Sequence, residues 1–126
     1  MSDVAIVIVA VGFAAMGLTA LARPADVLRQ FGVAVETADG RNEVRAVYGG
    51  FGVAVAALLF VAALGDPATA EGIVIAIGVA LLGMAAGRLL SAMRERPAGL
   101  YPVWTYFAIE IAAGAALLVA ASVVSR

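Results

Sequence analysis

The chain has 126 residues, 64% of them hydrophobic and 13% charged, with a formal net charge of −1. Soluble domains carry about 25% charged residues, so this is the composition of a one-domain membrane protein, and its balance gives no electrostatic reason to expect nucleic acid. Cys, His and Lys are absent, which excludes disulfides, Ser/His/Asp and thiolate chemistry, Schiff bases and the usual zinc, haem and iron–sulfur ligands; no enzyme activity, metal or cofactor is expected.

Four apolar segments, near 4–22, 45–64, 70–92 and 102–124, each approach the ~20 residues that cross a bilayer as a helix. The expected fold is all-α, an integral membrane four-helix bundle forming one domain. In the first segment Ala20-Leu21-Ala22 resembles a signal cleavage site, but Met-Ser-Asp supplies no positive n-region, so the segment reads as a retained helix. In P-A-D-V-L-R-Q-F-G (24–32) the apolar Val27, Leu28 and Phe31 share one helical face, with Asp26, Arg29 and Gln30 opposite. That pattern suits a short amphipathic helix on the membrane surface. Asp39 is the expected cap of the second span, and Asp66-Pro67 gives the third an N-cap and a first-turn proline. R-E-R-P-A-G-L-Y-P (94–102) connects to the fourth, which Pro102 opens. Residues 6–17 resemble 73–84 with a one-residue slip, open to two readings: a duplication of halves, or chance in an Ala/Val-rich chain.

The arginines orient the bundle. Arg23, Arg29, Arg41, Arg45, Arg94 and Arg96 fall on one side with Arg88 near it, and only Arg126 falls on the other. The positive-inside rule puts the arginine-rich loops in the cytoplasm and both termini outside, which suits a bacterial inner membrane. Tyr48, Tyr101, Trp104 and Tyr106 then cluster at the cytoplasmic interface, where amphipathic rings settle.

Between lipid tails, helices meet through small residues and polar contacts. Gly83-x-x-x-Gly87 in the third span, Gly49, Gly50 and Gly52 in the second, and Gly114 in the fourth are the expected packing positions, within one bundle or between protomers. A carboxylate inside a span is costly, by roughly 2.5–3.5 kcal/mol on insertion scales. Glu110 has Tyr106, Ala113, Gly114 and Leu117 as its helical neighbours, a face expected to point into the bundle. Arg88, Arg45, Glu43 and Tyr48 come to a similar depth from two other helices. The expected site is therefore Glu110, Arg88, Arg45, Tyr48, Glu43 and Tyr106. Its bland counterpart is a buried ion pair that only fixes helix register.

The stretch N-E-V-R-A-V-Y-G-G (42–50), followed by G-R-L-L-S (87–91) and the single Glu of the last span, resembles the small bacterial four-helix membrane proteins of domain of unknown function 4345. The resemblance runs over nearly the whole chain, through Asn42, Glu43, Arg45, Tyr48, Gly49, Gly50, Arg88 and Glu110. It implies the four-helix fold and brings no activity or ligand. A more distant similarity to DoxX-like membrane proteins adds little.

Three functions compete. In the first the bundle binds or carries a membrane lipid or other amphipathic molecule, its polar end at the charged cluster and its apolar part along the Gly/Ala-lined interior. In the second the chain is an accessory subunit, dimerising or packing against a larger membrane complex, which predicts copurification with a partner. The third is proton-coupled export in the manner of small four-helix drug transporters, which share the size and the lone membrane glutamate but carry it in the first helix. Equal transport by Glu110→Gln would end that third reading.

Overall fold

Hydropathy and length dictate four crossings, and the chain makes them as antiparallel helices joined by short connections. The structure is a computed structural model that describes residues 2–124 and 126. Helix α1 runs Ser2–Ala22 and α2 runs Pro24–Arg29. Three more follow: α3 Ala38–Leu64, α4 Pro67–Arg94 and α5 Leu100–Val124. All but α2 are long and apolar enough to cross a membrane. Helix α1 pairs closely with α3, and α4 with α5; contacts of α1 with α5 and of α3 with α4 close the ring.

The ends follow local chemistry. The second spanning helix starts at Ala38, well before the expected residue 45, because its polar first turns still have a cap. Thr37 supplies that cap, its Oγ1 accepting from the Gly40 N–H at 3.0 Å, while Asp39 lies inside the first turn. Helix α4 starts as expected, with Pro67 in the first turn and the Asp66 carboxylate accepting from the Thr69 N–H at 3.0 Å. That backbone bond is the main cause holding the Asp66 carboxyl below its ordinary pKa. Helix α5 opens with a wide turn over Leu100–Trp104 that contains Pro102. A second wide, π-type turn interrupts α3 at Arg45–Gly50. Helix α2 ends where Gly32 takes φ +75°, a left-handed conformation glycine adopts without strain. The N–H groups of Gly32 and Val33 there bond back to the Arg29 and Leu28 carbonyls.

Side chains of all four spanning helices form one apolar core, including Ile6, Val55, Leu59, Val74, Leu81 and Leu117. These positions run from the end of the bundle that holds the chain termini to the middle of the spans. The other half ends in the arginine-rich loops and holds Arg88 and Glu110.

Backbone contact at glycine joins the tight pairs. A Cβ on Gly17 would lie 2.7 Å from the Val53 amide nitrogen and 2.8 Å from the Gly49 carbonyl oxygen. One on Gly52 would lie 3.0 Å from the Gly17 Cα, and one on Gly49 would run into the Leu21 side chain. Between α4 and α5 the same role falls to Gly78 and Gly114, each facing the other's carbonyl oxygen. Gly49, Gly52 and Gly114 thus pack helices, and Gly17 and Gly78 join them.

Gly83, Gly87 and Gly50 do not pack within the bundle. A Cβ at Gly83 or Gly87 would meet nothing within 4 Å, and one at Gly50 would meet only its own helix's Arg45 carbonyl, at 3.8 Å. The four-residue spacing is present in α4, but the face that carries it is turned outward. The similarity of 6–17 to 73–84 would pair Gly12 with Gly78 and Gly17 with Gly83. In the structure Gly17 and Gly78 are packed, while Gly12 and Gly83 are open. Corresponding positions therefore do different work in the two halves.

Candidate functional site: a buried ion pair under an aromatic strap

Antiparallel geometry brings Arg88 and Glu110 together. Gly78 and Gly114 set the register of α4 on α5. From that crossing Arg88 is ten residues, about 15 Å, toward the arginine-rich end, and Glu110 four residues, about 6 Å. Side chains on a helix lean toward its N-terminus. Arg88 on α4 therefore leans inward along the bundle, Glu110 on α5 leans outward, and the two meet between.

The contact is two-pronged. Arg88 Nε donates to Glu110 Oε1 and Oε2 at 2.9 and 2.8 Å, and Nη2 lies 2.8 Å from Oε1. Glu110 is buried, at 4% exposure, on the α5 face that also buries Gly114 and Leu117. A forked, charge-assisted contact of this kind lets a carboxylate stay inside a low-dielectric bundle. The Arg88 side chain keeps 23% of its surface exposed. Its Nη1 makes no hydrogen bond among the described residues, so the end-on edge of the guanidinium remains available.

A strap from the first connection covers the pair. The Arg88 Cζ lies 5.8 Å from the Phe31 ring centroid and 5.5 Å from that of Tyr106, within cation–π range. The two rings are themselves 5.5 Å apart. Gln30 Oε1 accepts from the Tyr106 hydroxyl at 2.8 Å and also from the Tyr101 hydroxyl. Its Nε2 donates to the Val27 carbonyl at 2.9 Å. Gln30 thus turns inward, contrary to the face that amphipathic spacing gives it, because helix α2 ends at Arg29 and the periodicity no longer applies beyond it. Asp26 pairs with Arg23 at 3.0 Å and Arg29 at 2.9 Å on the outer face.

The other expected members lie elsewhere. Arg45 is exposed and donates from Nε to the Leu21 carbonyl at 3.0 Å, closing the C-terminal end of α1. A cation there satisfies a carbonyl that the helix leaves free. Glu43 is exposed and Tyr48 half-buried, both on α3; among the described residues neither bonds to the Arg88–Glu110 pair. Tyr106 belongs to the site through its ring. Phe31, Gln30 and Tyr101 were left out of the site by sequence reasoning; the signals for them were the apolar face that carries Phe31 and the aromatic cluster that carries Tyr101.

Both Glu110 carboxylate oxygens accept from Arg88, and Leu117, Leu59, Ile6 and Val74 are the largest fully buried side chains of the core. A groove of about 380 Å³, open to the outside, runs beside Arg88 and is lined by Gly87, Ser91, Ala92, Glu95, Pro97 and Val103. A second groove of about 370 Å³ lies under the strap's far side, along Gly32–Glu36. No group of three or more carboxylates able to hold a metal ion occurs among the described residues.

The family model described as a domain of unknown function, DUF4345, matches residues 1–121. No curated protein and no solved structure matches the chain.

Proposed function

This chain belongs to the DUF4345 family, a membership that assigns no activity, and we propose that it binds an amphipathic, lipid-like molecule by its anionic head at Arg88. One observation carries the reading. A guanidinium held by Glu110 on one edge, and within cation–π reach of Phe31 and Tyr106, lines an open groove on α4 with its Nη1 free of any hydrogen bond among the described residues. Its free edge is preorganised for a phosphate or carboxylate, since the side chain is already fixed. Glu110 is the positioning residue and Arg88 the binding one. The reading is of a binding protein in a bacterial inner membrane, its arginine-rich end cytoplasmic, and not of an enzyme.

Native mass spectrometry of the protein released from lipid nanodiscs tests this. The expected result is retained lipid, lost in Gly87→Leu, which fills the groove at an exposed position and leaves the ion pair intact. Equal retention by wild type and Gly87→Leu would place the lipid elsewhere and end the proposal. The accessory-subunit reading draws support from the same open α4 face, where Gly72, Gly83 and Gly87 have no neighbour. It expects a partner protein, rather than lipid, cross-linked to that face in native membranes. The exporter reading has less support, because the glutamate that would cycle protons is locked to an arginine.

A further inference from the structure

The groove has a polar order as well as a charge. Ser91 follows Arg88 on α4 at the third position and Glu95, the residue that caps the helix, at the seventh, and all three line the groove. The rise per residue puts Ser91 about 4.5 Å and Glu95 about 10 Å nearer the arginine-rich end than Arg88. On the other side of Arg88, Gly87 and Gly83 continue the same row as bare backbone with open space beside it. From the membrane interior outward the groove therefore presents the bare backbone of Gly87, a cation, a hydroxyl and an anion, with open Gly83 one turn further in.

Resting on the lipid-binding reading, we infer that the molecule held is a zwitterionic aminophospholipid, with its phosphate on Arg88 and Ser91 and its ammonium on Glu95. Such a lipid carries, from its tails outward, the glycerol, the phosphate and the ammonium, the order in which the groove offers its partners. Its acyl chains continue along the bare strip at Gly83 and Gly87. A lipid with a net negative, amine-free head offers Glu95 no cation, only hydroxyls at most, and its charge is repelled by the carboxylate. A trimethylammonium head has no N–H to donate to the Glu95 carboxylate, and no aromatic ring lines the groove to stack on it. Arg94 and Arg96 flank Glu95 in the chain, and neither forms an ion pair with it among the described residues.

The test uses the full chain in nanodiscs made from equal amounts of phosphatidylethanolamine and phosphatidylglycerol, with the lipids that stay bound on release counted by native mass spectrometry. Wild type is expected to retain phosphatidylethanolamine over phosphatidylglycerol by about fivefold, the worth of one partly exposed ion pair. Glu95→Gln, at an exposed position, is expected to keep a lipid bound but bring that ratio near one. Retention without preference, or a preference unchanged in Glu95→Gln, overturns the headgroup assignment and leaves the lipid site standing. If wild type retains no lipid, both fall together.

Discussion

The hairpin of α1 with α3 and the hairpin of α4 with α5 begin from the same device and diverge toward the arginine-rich end. Each closes on glycine, Gly17 with Gly49 and Gly52 in the first, Gly78 with Gly114 in the second. In the first hairpin the nearby arginine, Arg45, remains at the surface and caps the Leu21 carbonyl. In the second, Arg88 reaches inward to a buried carboxylate. The first hairpin is thus fastened by backbone approach and a surface cap, the second by a glycine crossing and a charge pair. An arginine near a helix end becomes a site only when the facing helix supplies an acid one side-chain length deeper.

Breaking the pair is expected to produce the largest effect. Glu110→Ala leaves a guanidinium half-enclosed without its counterion, and the cost should be about 3–5 kcal/mol, read as a lowered unfolding midpoint in detergent. A loss under ~1 kcal/mol would mean the second hairpin is held by its glycines alone.

Overpacking the first hairpin should come next. Gly17→Val forces new atoms against backbone on both sides, where nothing can rotate away, and should cost roughly 1–3 kcal/mol. Gly114→Ala meets mainly the Leu82 side chain at 2.9 Å, which can turn, so its cost should be smaller. Gly83→Ala, with nothing beside it, should remain within about ±0.5 kcal/mol. The reverse order among these three would contradict the assignment of packed and open faces.

Arg45→Gln removes a surface cap, and the expected loss is about 1 kcal/mol or less. The smallest effect belongs to the turn joining the two hairpins. The folded-state pKa of Asp66 is depressed, mainly by the Thr69 N–H. The unfolded state therefore holds the proton more tightly, and the cap's contribution is fully present above the ordinary carboxylate pKa of about 4. It declines as pH falls from there through the lowered folded value. A slight drop of the midpoint on acidification should disappear in Asp66→Asn, which caps without titrating; an unchanged drop would assign it to another carboxylate.

The four spans and the burial of Glu110 were legible because each rests on a property of a single segment, its length, hydropathy or helical neighbours. Position along the helix axes, read from the rise per residue, placed Arg45 and Arg88 near Glu110 alike. Which wall of the bundle each arginine faces is a matter of register between helices, and that depends on Gly17 and Gly78. Both are isolated glycines that no spacing motif marks, whereas the marked pair, Gly83 and Gly87, faces outward. The early start of α3 escaped because the apolar run begins near residue 45, whereas the helix, capped by Thr37, begins ahead of it. Gln30 escaped because a strap's contacts are set by the helix it lies on, here through Tyr101 and Tyr106.

A double-mutant cycle reaches the centre of the account, the meeting of two charges from α4 and α5 inside the bundle. Arg88→Met, Glu110→Met and the double substitution would be compared by unfolding free energy in one detergent. The expected double loses less than the sum of the singles by about 1–3 kcal/mol, since removing both charges leaves neither stranded. Additivity within ~0.5 kcal/mol would mean the two groups do not touch, and the groove beside Arg88 would lose the fixed guanidinium on which its function rests.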